Sequence, residues 1–277
     1  MITVWSIVRM VFAWVALVAA QMLAGMAIRV ESPAVPNVMA WLALADAIIV
    51  FALGAAALRS DWRNWTLARA LFFIPAAIAT VNLIEGAVFL PNAHFDWRGV
   101  IALTLATYAV AAVLWYFLFR RAPVAEAHVE AALPHRTVGE AAWRFVLCLA
   151  CYVVLYFLAG SIIFPYVRDY YATQRVPPVG EIVSLQFFLR GPVFVLVCLT
   201  LLRMLRLPHL SGALAVGVTF TLLSGVAPLI IPNAIFPDSV RWVHFGEVTS
   251  SNLVFGFIVG WIWGHTEHRK ALTHAPA

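Results

Sequence analysis

His244, Glu247 and Ser251 stand at i, i+3 and i+7 of one apolar stretch, so on a helix they share a face. A histidine and a carboxylate at that spacing can pass a proton between them, and a hydroxyl beside them adds a donor and an acceptor. Asn252 follows directly. Two further pairs lie in other apolar stretches: Gln186 and Arg190 at i, i+4, and Asn82 and Glu85 at i, i+3. Asp46 and Gln21 occur in two more. In one chemistry Arg190 binds an anionic group while Glu247 and Asp46 carry protons. In another Glu247 activates water with help from His244, and Arg190 or Asn252 polarises a carbonyl or phosphoryl oxygen. The structural reading of the same residues is an Arg190 that pairs with Glu85, Glu247 or Asp46 and locks the helices together.

The elements that must position these groups are membrane spans. The 277 residues are 64% hydrophobic and 11% charged, with a mean hydropathy of +0.92, whereas soluble domains carry about 25% charged residues. A soluble core cannot hide that much apolar surface, so the solvent is lipid. Eight continuous apolar runs fall at 5–28, 38–58, 66–89, 99–119, 144–164, 182–202, 210–231 and 241–263. Each suffices to cross a core of ~30 Å at ~1.5 Å per residue. Continuous rather than alternating apolar sequence predicts helices. Met1–Gly25 has the look of a signal peptide but no small-residue cleavage site, and is expected to be a retained first span. Pro75 and Pro192 fall inside spans and should kink them. Gly256, Gly260 and Gly264 form a small-residue ridge roughly opposite the His244/Glu247 face, suited to close packing on another helix.

Basic residues set the expected orientation. Twelve (Arg9, Arg59, Arg63, Arg69, Arg120, Arg121, Arg136, Arg144, Arg203, Arg206, Arg269 and Lys270) flank one side, and five (Arg29, Arg98, Arg168, Arg175 and Arg241) the other. The excess predicts cytoplasmic termini. Gln21, Asp46, Asn82, Glu85, Gln186, Arg190, His244, Glu247, Ser251 and Asn252 then fall in the outer halves of their spans, with Gln186 and Arg190 about 8 and 14 Å from the start at Glu181. The inner halves are nearly devoid of such groups. Polar side chains at one depth suggest a pocket open to one side, with Glu85, Arg190, His244 and Glu247 converging there.

A tandem duplication is expected from two matches. Arg9-x-Val11 leads to Leu23-Ala24-Gly25 as Arg144-x-Val146 leads to Leu158-Ala159-Gly160. The segment Pro91–Asp96 matches Pro232–Asp238 with one inserted proline. Four spans per repeat give halves of the same orientation, as in parallel-repeat transporters. The expected organisation is a four-helix half at 1–120, a cytoplasmic linker at 121–143 with a short surface helix at 124–132, a second four-helix half at 144–264 and a cytoplasmic tail at 265–277. The longest outer loop would run from Pro165 to Glu181 and carry Val-Arg-Asp-Tyr-Tyr at 167–171.

The expectation is thus an all-α, eight-span helix bundle in a bacterial inner membrane, possessing an outward-facing polar pocket. The foremost functional expectation is a transporter of a small polar or anionic ligand. An intramembrane enzyme acting on lipid-linked or peptide substrates, and a non-catalytic sensor or accessory subunit, are the alternatives. Expected partners are membrane lipid, a small polar ligand or lipid headgroup, and another membrane protein; nucleic acid is not, because the basic residues are scattered at span ends. The paired Glu-Glu-x-x-x-Arg motif of CAAX-type glutamate intramembrane proteases is lacking, and His244 and Glu247 share one helix. No Gly-x-Ser-x-Gly or His-Glu-x-x-His motif occurs either. No cofactor or metal is expected: His244 is the one histidine well inside a span, and His265-x-x-His268 reads as solvated tail. Cys148, Cys151 and Cys198 read as small packing residues.

Overall fold

The computed structural model describes residues 3–28, 36–90, 96–120, 136–174, 176–233 and 236–264. The surface helix expected at 124–132, the tail histidines and most of the Pro91–Asp96 motif lie outside them. Among the described residues there are eight helices long and apolar enough to cross a membrane and no strand: α1 Val4–Ala27, α2 Val38–Arg59, α3 Trp65–Phe89, α4 Trp97–Phe119, α5 Val138–Ala172, α6 Val179–Leu205, α7 His209–Ile230 and α8 Asp238–Gly264. Their length and composition are compatible with a multi-pass membrane protein. Large apolar side chains such as Trp5, Val138 and Phe188 stay exposed, as lipid contact requires.

Local chemistry sets the helix starts. Thr3, Asn64, Asp96 and Thr137 each accept a hydrogen bond from a backbone N–H in the first turn of α1, α3, α4 and α5. The cap at Thr137 starts α5 earlier than the apolar pattern implied, so 138–143 is helix rather than linker. The Arg136–Glu140–Arg144 pairs (2.6 and 3.0 Å) brace that extension. At its other end α5 runs through Pro165 to Ala172, so the loop expected from Pro165 to Glu181 shrinks to a few residues and Tyr170 and Tyr171 are helical.

The prolines act differently from one another. α3 is continuous through Pro75. In α6 a π-helical turn, Gln186–Arg190, precedes Pro192; in α7 another, Leu222–Val226, precedes Pro228. Proline offers no N–H to the turn before it. In both helices the residue just ahead of the proline donates five residues back instead, Gly191 to the Gln186 carbonyl and Ala227 to the Leu222 carbonyl. The α6 turn contains Gln186 and Arg190, and the α7 turn contains Ser224.

The end of the bundle carrying the termini packs around Trp115 and Phe119, and Phe194 and Phe220 fill the middle of the bundle. Arginines there satisfy helix ends: Arg59 donates to the Leu205 carbonyl (3.0 Å), Arg136 to that of Trp263 (3.0 Å) and Arg144 to that of Ile262. In each half the fourth helix lies against the first and third, α4 on α1 and α3, α8 on α5 and α7.

The glycine ridge of α8 meets α7. A Cβ on Gly256 would lie 2.8 Å from Gly217 Cα, and one on Gly260 2.6 Å from Ala213 Cα. Backbone cannot move aside as a side chain can, so Gly260→Val should cost about 2 kcal/mol or more. Gly25→Ala, with open space around the new methyl, should be neutral or mildly stabilising. Equilibrium unfolding of both variants in bicelles checks the contrast.

Candidate functional site

At the end of the bundle away from the termini, α3, α5, α6 and α8 bring their polar residues to one place. Arg190 is almost fully buried and lies 2.5 and 2.6 Å from the two carboxylate oxygens of Glu85, and its other terminal nitrogen donates to Asn82 Oδ1 at 3.0 Å. Gln186 donates to Glu85 Oε1 (2.8 Å) and accepts from the Tyr152 hydroxyl (3.1 Å). The guanidinium sits 5.0 Å from the Phe194 ring centroid. The arrangement joins α3 of the first half to α6 of the second. An isolated charge among apolar helices is strongly unfavourable, and this network answers Arg190 on both terminal nitrogens.

A second chain of hydrogen bonds faces the first. His244 Nδ1 lies 2.7 Å from Glu247 Oε2, and Nε2 lies 2.9 Å from the Tyr171 hydroxyl. A carboxylate only accepts, so Nδ1 carries the proton, and in the neutral ring Nε2 accepts from Tyr171. The ring is further flanked by Phe236, 5.4 Å between centroids. Gly160 stands where a Cβ would come within 3.7 Å of Glu247 Oε1, so the small residue of the Leu158-Ala159-Gly160 motif borders this carboxylate.

Between the two networks lies a cavity of about 210 Å³, lined by Asn82, Glu85 and Arg190 on one wall and Tyr171, His244 and Glu247 on the other. At ~30 Å³ per molecule it has room for about seven waters. A cleft of about 30 Å³ adjoins it beside Glu247, Ser251 and Asn252.

No family model, curated protein or solved structure matches the chain.

Not every residue singled out in the sequence lines this cavity. Ser251 bonds within its own helix, to the Val248 carbonyl. Asn252 is buried and donates to Ser224 Oγ on α7 (2.9 Å), tying two helices together. Gln186 is fully buried behind Arg190. Asp46 is apart from the cluster: it accepts from Gln21 (3.0 Å) and lines a separate chamber among α1–α4. Arg190 thus pairs with Glu85 rather than with Asp46. Tyr152, Tyr156 and Ser224 were not anticipated; the four-residue spacing of Tyr152 and Tyr156 within an apolar span is the signal that was there to find. Cys148 and Cys198 are buried in the apolar core. No group of three metal-capable side chains occurs among the described residues.

Arg190→Met leaves the Glu85 carboxylate with Gln186 alone of these partners and should cost about 3–5 kcal/mol. The double change Arg190→Met, Glu85→Leu removes both charges and should recover roughly half of that loss. Unfolding free energies of the two singles and the double form the cycle that checks it.

Proposed function

We propose that the protein is a transporter of a small polar solute, bound in the cavity between its two four-helix halves. One observation carries the reading: ion pairs cross the seam between the halves at two levels of one helix, near the middle of α6 and just past its last residue. Glu85–Arg190 (2.5 Å) crosses it beside the cavity, and Asp61–Arg206 (2.8 Å) crosses it at the end bearing the termini. A carrier needs one site and a closure on either side of it, broken in turn as the halves rock. Arg190 is already balanced by Glu85, which favours a polar or zwitterionic solute over a simple anion. A solute carboxylate would compete with Glu85 for the guanidinium while its donor side meets Glu247. The excess of basic residues near the termini, twelve against five, supports an inner-membrane orientation with cytoplasmic termini and the cavity toward the outside. The recurring pattern of a fourth helix packed on the first and third supports a duplicated origin for the halves.

The Tyr171–His244–Glu247 chain favours a second reading. A carboxylate that orients a histidine is the base-and-orienter arrangement of many hydrolytic sites, so an intramembrane hydrolase working at this cavity uses the same residues. Substrate would displace Tyr171 from Nε2 and leave that nitrogen to take a proton.

Proteoliposomes preloaded with a mixture of small polar metabolites separate the two. A transporter exchanges at least one species across the bilayer, and Arg190→Ala or Glu247→Gln slows that exchange about tenfold or more. Absence of any exchanged species, with a loaded compound chemically cleaved by wild type and not by Glu247→Gln, overturns transport in favour of hydrolysis.

A further inference from the structure

Beyond Asn82 and Phe236, which border both spaces, lies a larger chamber of about 590 Å³. Its volume falls within the ~300–1,000 Å³ that houses drug-sized ligands. Most of its wall is aliphatic, from α1 to α4 and the end of α7. The polar exceptions include Gln21, Asp46, Thr104, Thr107 and Tyr108.

Among the described residues, Asp46 is the one carboxylate lining the chamber, and no Lys, Arg or His lines it. The residue is 2% exposed. Gln21 donates to Oδ1, whereas Oδ2 has no hydrogen-bond partner. A buried carboxylate with one unanswered oxygen costs free energy until a donor or a positive charge meets it. The nearby ion-pair network does not supply one, because Arg190 is committed to Glu85 and Asn82. The chamber wall also includes the aromatic side chains of Trp97, Tyr108 and Phe236, whose ring faces attract organic cations. A carboxylate short of a donor, aromatic rings and a large aliphatic volume together suit an ammonium group with a hydrocarbon body.

We propose that this chamber binds a hydrophobic amine in its protonated form, with the ammonium donating to Asp46 Oδ2 and the hydrocarbon filling the space between α2, α3 and α4. The proposal is independent of the transport reading, since it uses a different carboxylate and a different wall. Neither Glu247 nor His244 takes part. The shared border at Asn82 and Phe236 makes the two spaces neighbours, so an occupant of one lies close to an occupant of the other.

The test uses full-length protein in lipid nanodiscs, with radiolabelled 4-phenylbutylamine and its neutral counterpart 4-phenylbutanol as probes. Wild type should bind the amine at least about tenfold more tightly than the alcohol. Asp46→Asn keeps an oxygen for Gln21 and should lose about tenfold or more in amine affinity, the scale of one charged hydrogen bond, with alcohol binding unchanged. Leu103→Trp fills the chamber without touching the carboxylate and should abolish binding of both probes. Equal affinity for amine and alcohol in wild type overturns the proposal, as does amine binding that survives Asp46→Asn. Where Asp46→Asn does not fold, amine binding undiminished by Leu103→Trp overturns it instead. Metabolite exchange lost in Arg190→Ala with amine binding intact separates failure of one site from failure of the other.

Discussion

A guanidinium placed among apolar helices has to be answered by something, because neither lipid nor aliphatic side chains can solvate it. Arg190 is answered by both oxygens of Glu85 and by Asn82, on a helix of the other half. The rest of the cavity end follows from that requirement. α3 must present Asn82 and Glu85 on one face toward α6. Gln186 must sit where it can hold Glu85 while Tyr152 holds it in turn. The two halves are then committed to one relative position at this end, and the cavity is the space left beside the pair.

Backbone irregularity is what aims the groups. Both π-helical turns stand directly ahead of a proline, where the regular hydrogen-bond ladder is interrupted in any case. The α6 turn holds Gln186 and Arg190, so the widened turn sets the direction of the two side chains facing Glu85. The α7 turn holds Ser224, the acceptor for Asn252. The opposite end of the bundle shows the contrary design: among the described residues no widened turn, large aromatic side chains in the core, and arginines spent on helix carbonyls.

Much of the architecture was legible in the chain. Eight apolar runs are a strong signal, since length and composition alone decide whether a helix can cross lipid, and the glycine ridge of α8 is in contact with α7 as its spacing implied. Span ends were less legible. Thr137 and the Arg136–Glu140–Arg144 pairs extend α5 into polar sequence, and α5 continues through Pro165, which as an isolated cue reads as a stop. Glu85, Arg190, His244 and Glu247 line one cavity, as their common depth suggested. Asp46 shares that depth but belongs to another chamber, because depth along the membrane normal says nothing of position within its plane. Tyr171, in the stretch whose sequence reads as an outer loop, is on a helix against His244. The pairing of spans 3, 6 and 8 around one space is tertiary information that periodicity does not contain.

If the Glu85–Arg190 pair is what holds the halves at the cavity end, its removal must loosen them there. Spin labels at the exposed positions Met39 on α2 and Val179 on α6 (71% and 65% exposed) report the distance across the seam in lipid nanodiscs by pulsed electron resonance. The account predicts one narrow distance distribution in the otherwise wild-type protein, and a broader or longer one after Arg190→Ala. An unchanged distribution would contradict it, leaving the pair as a local contact between halves held together by their other contacts.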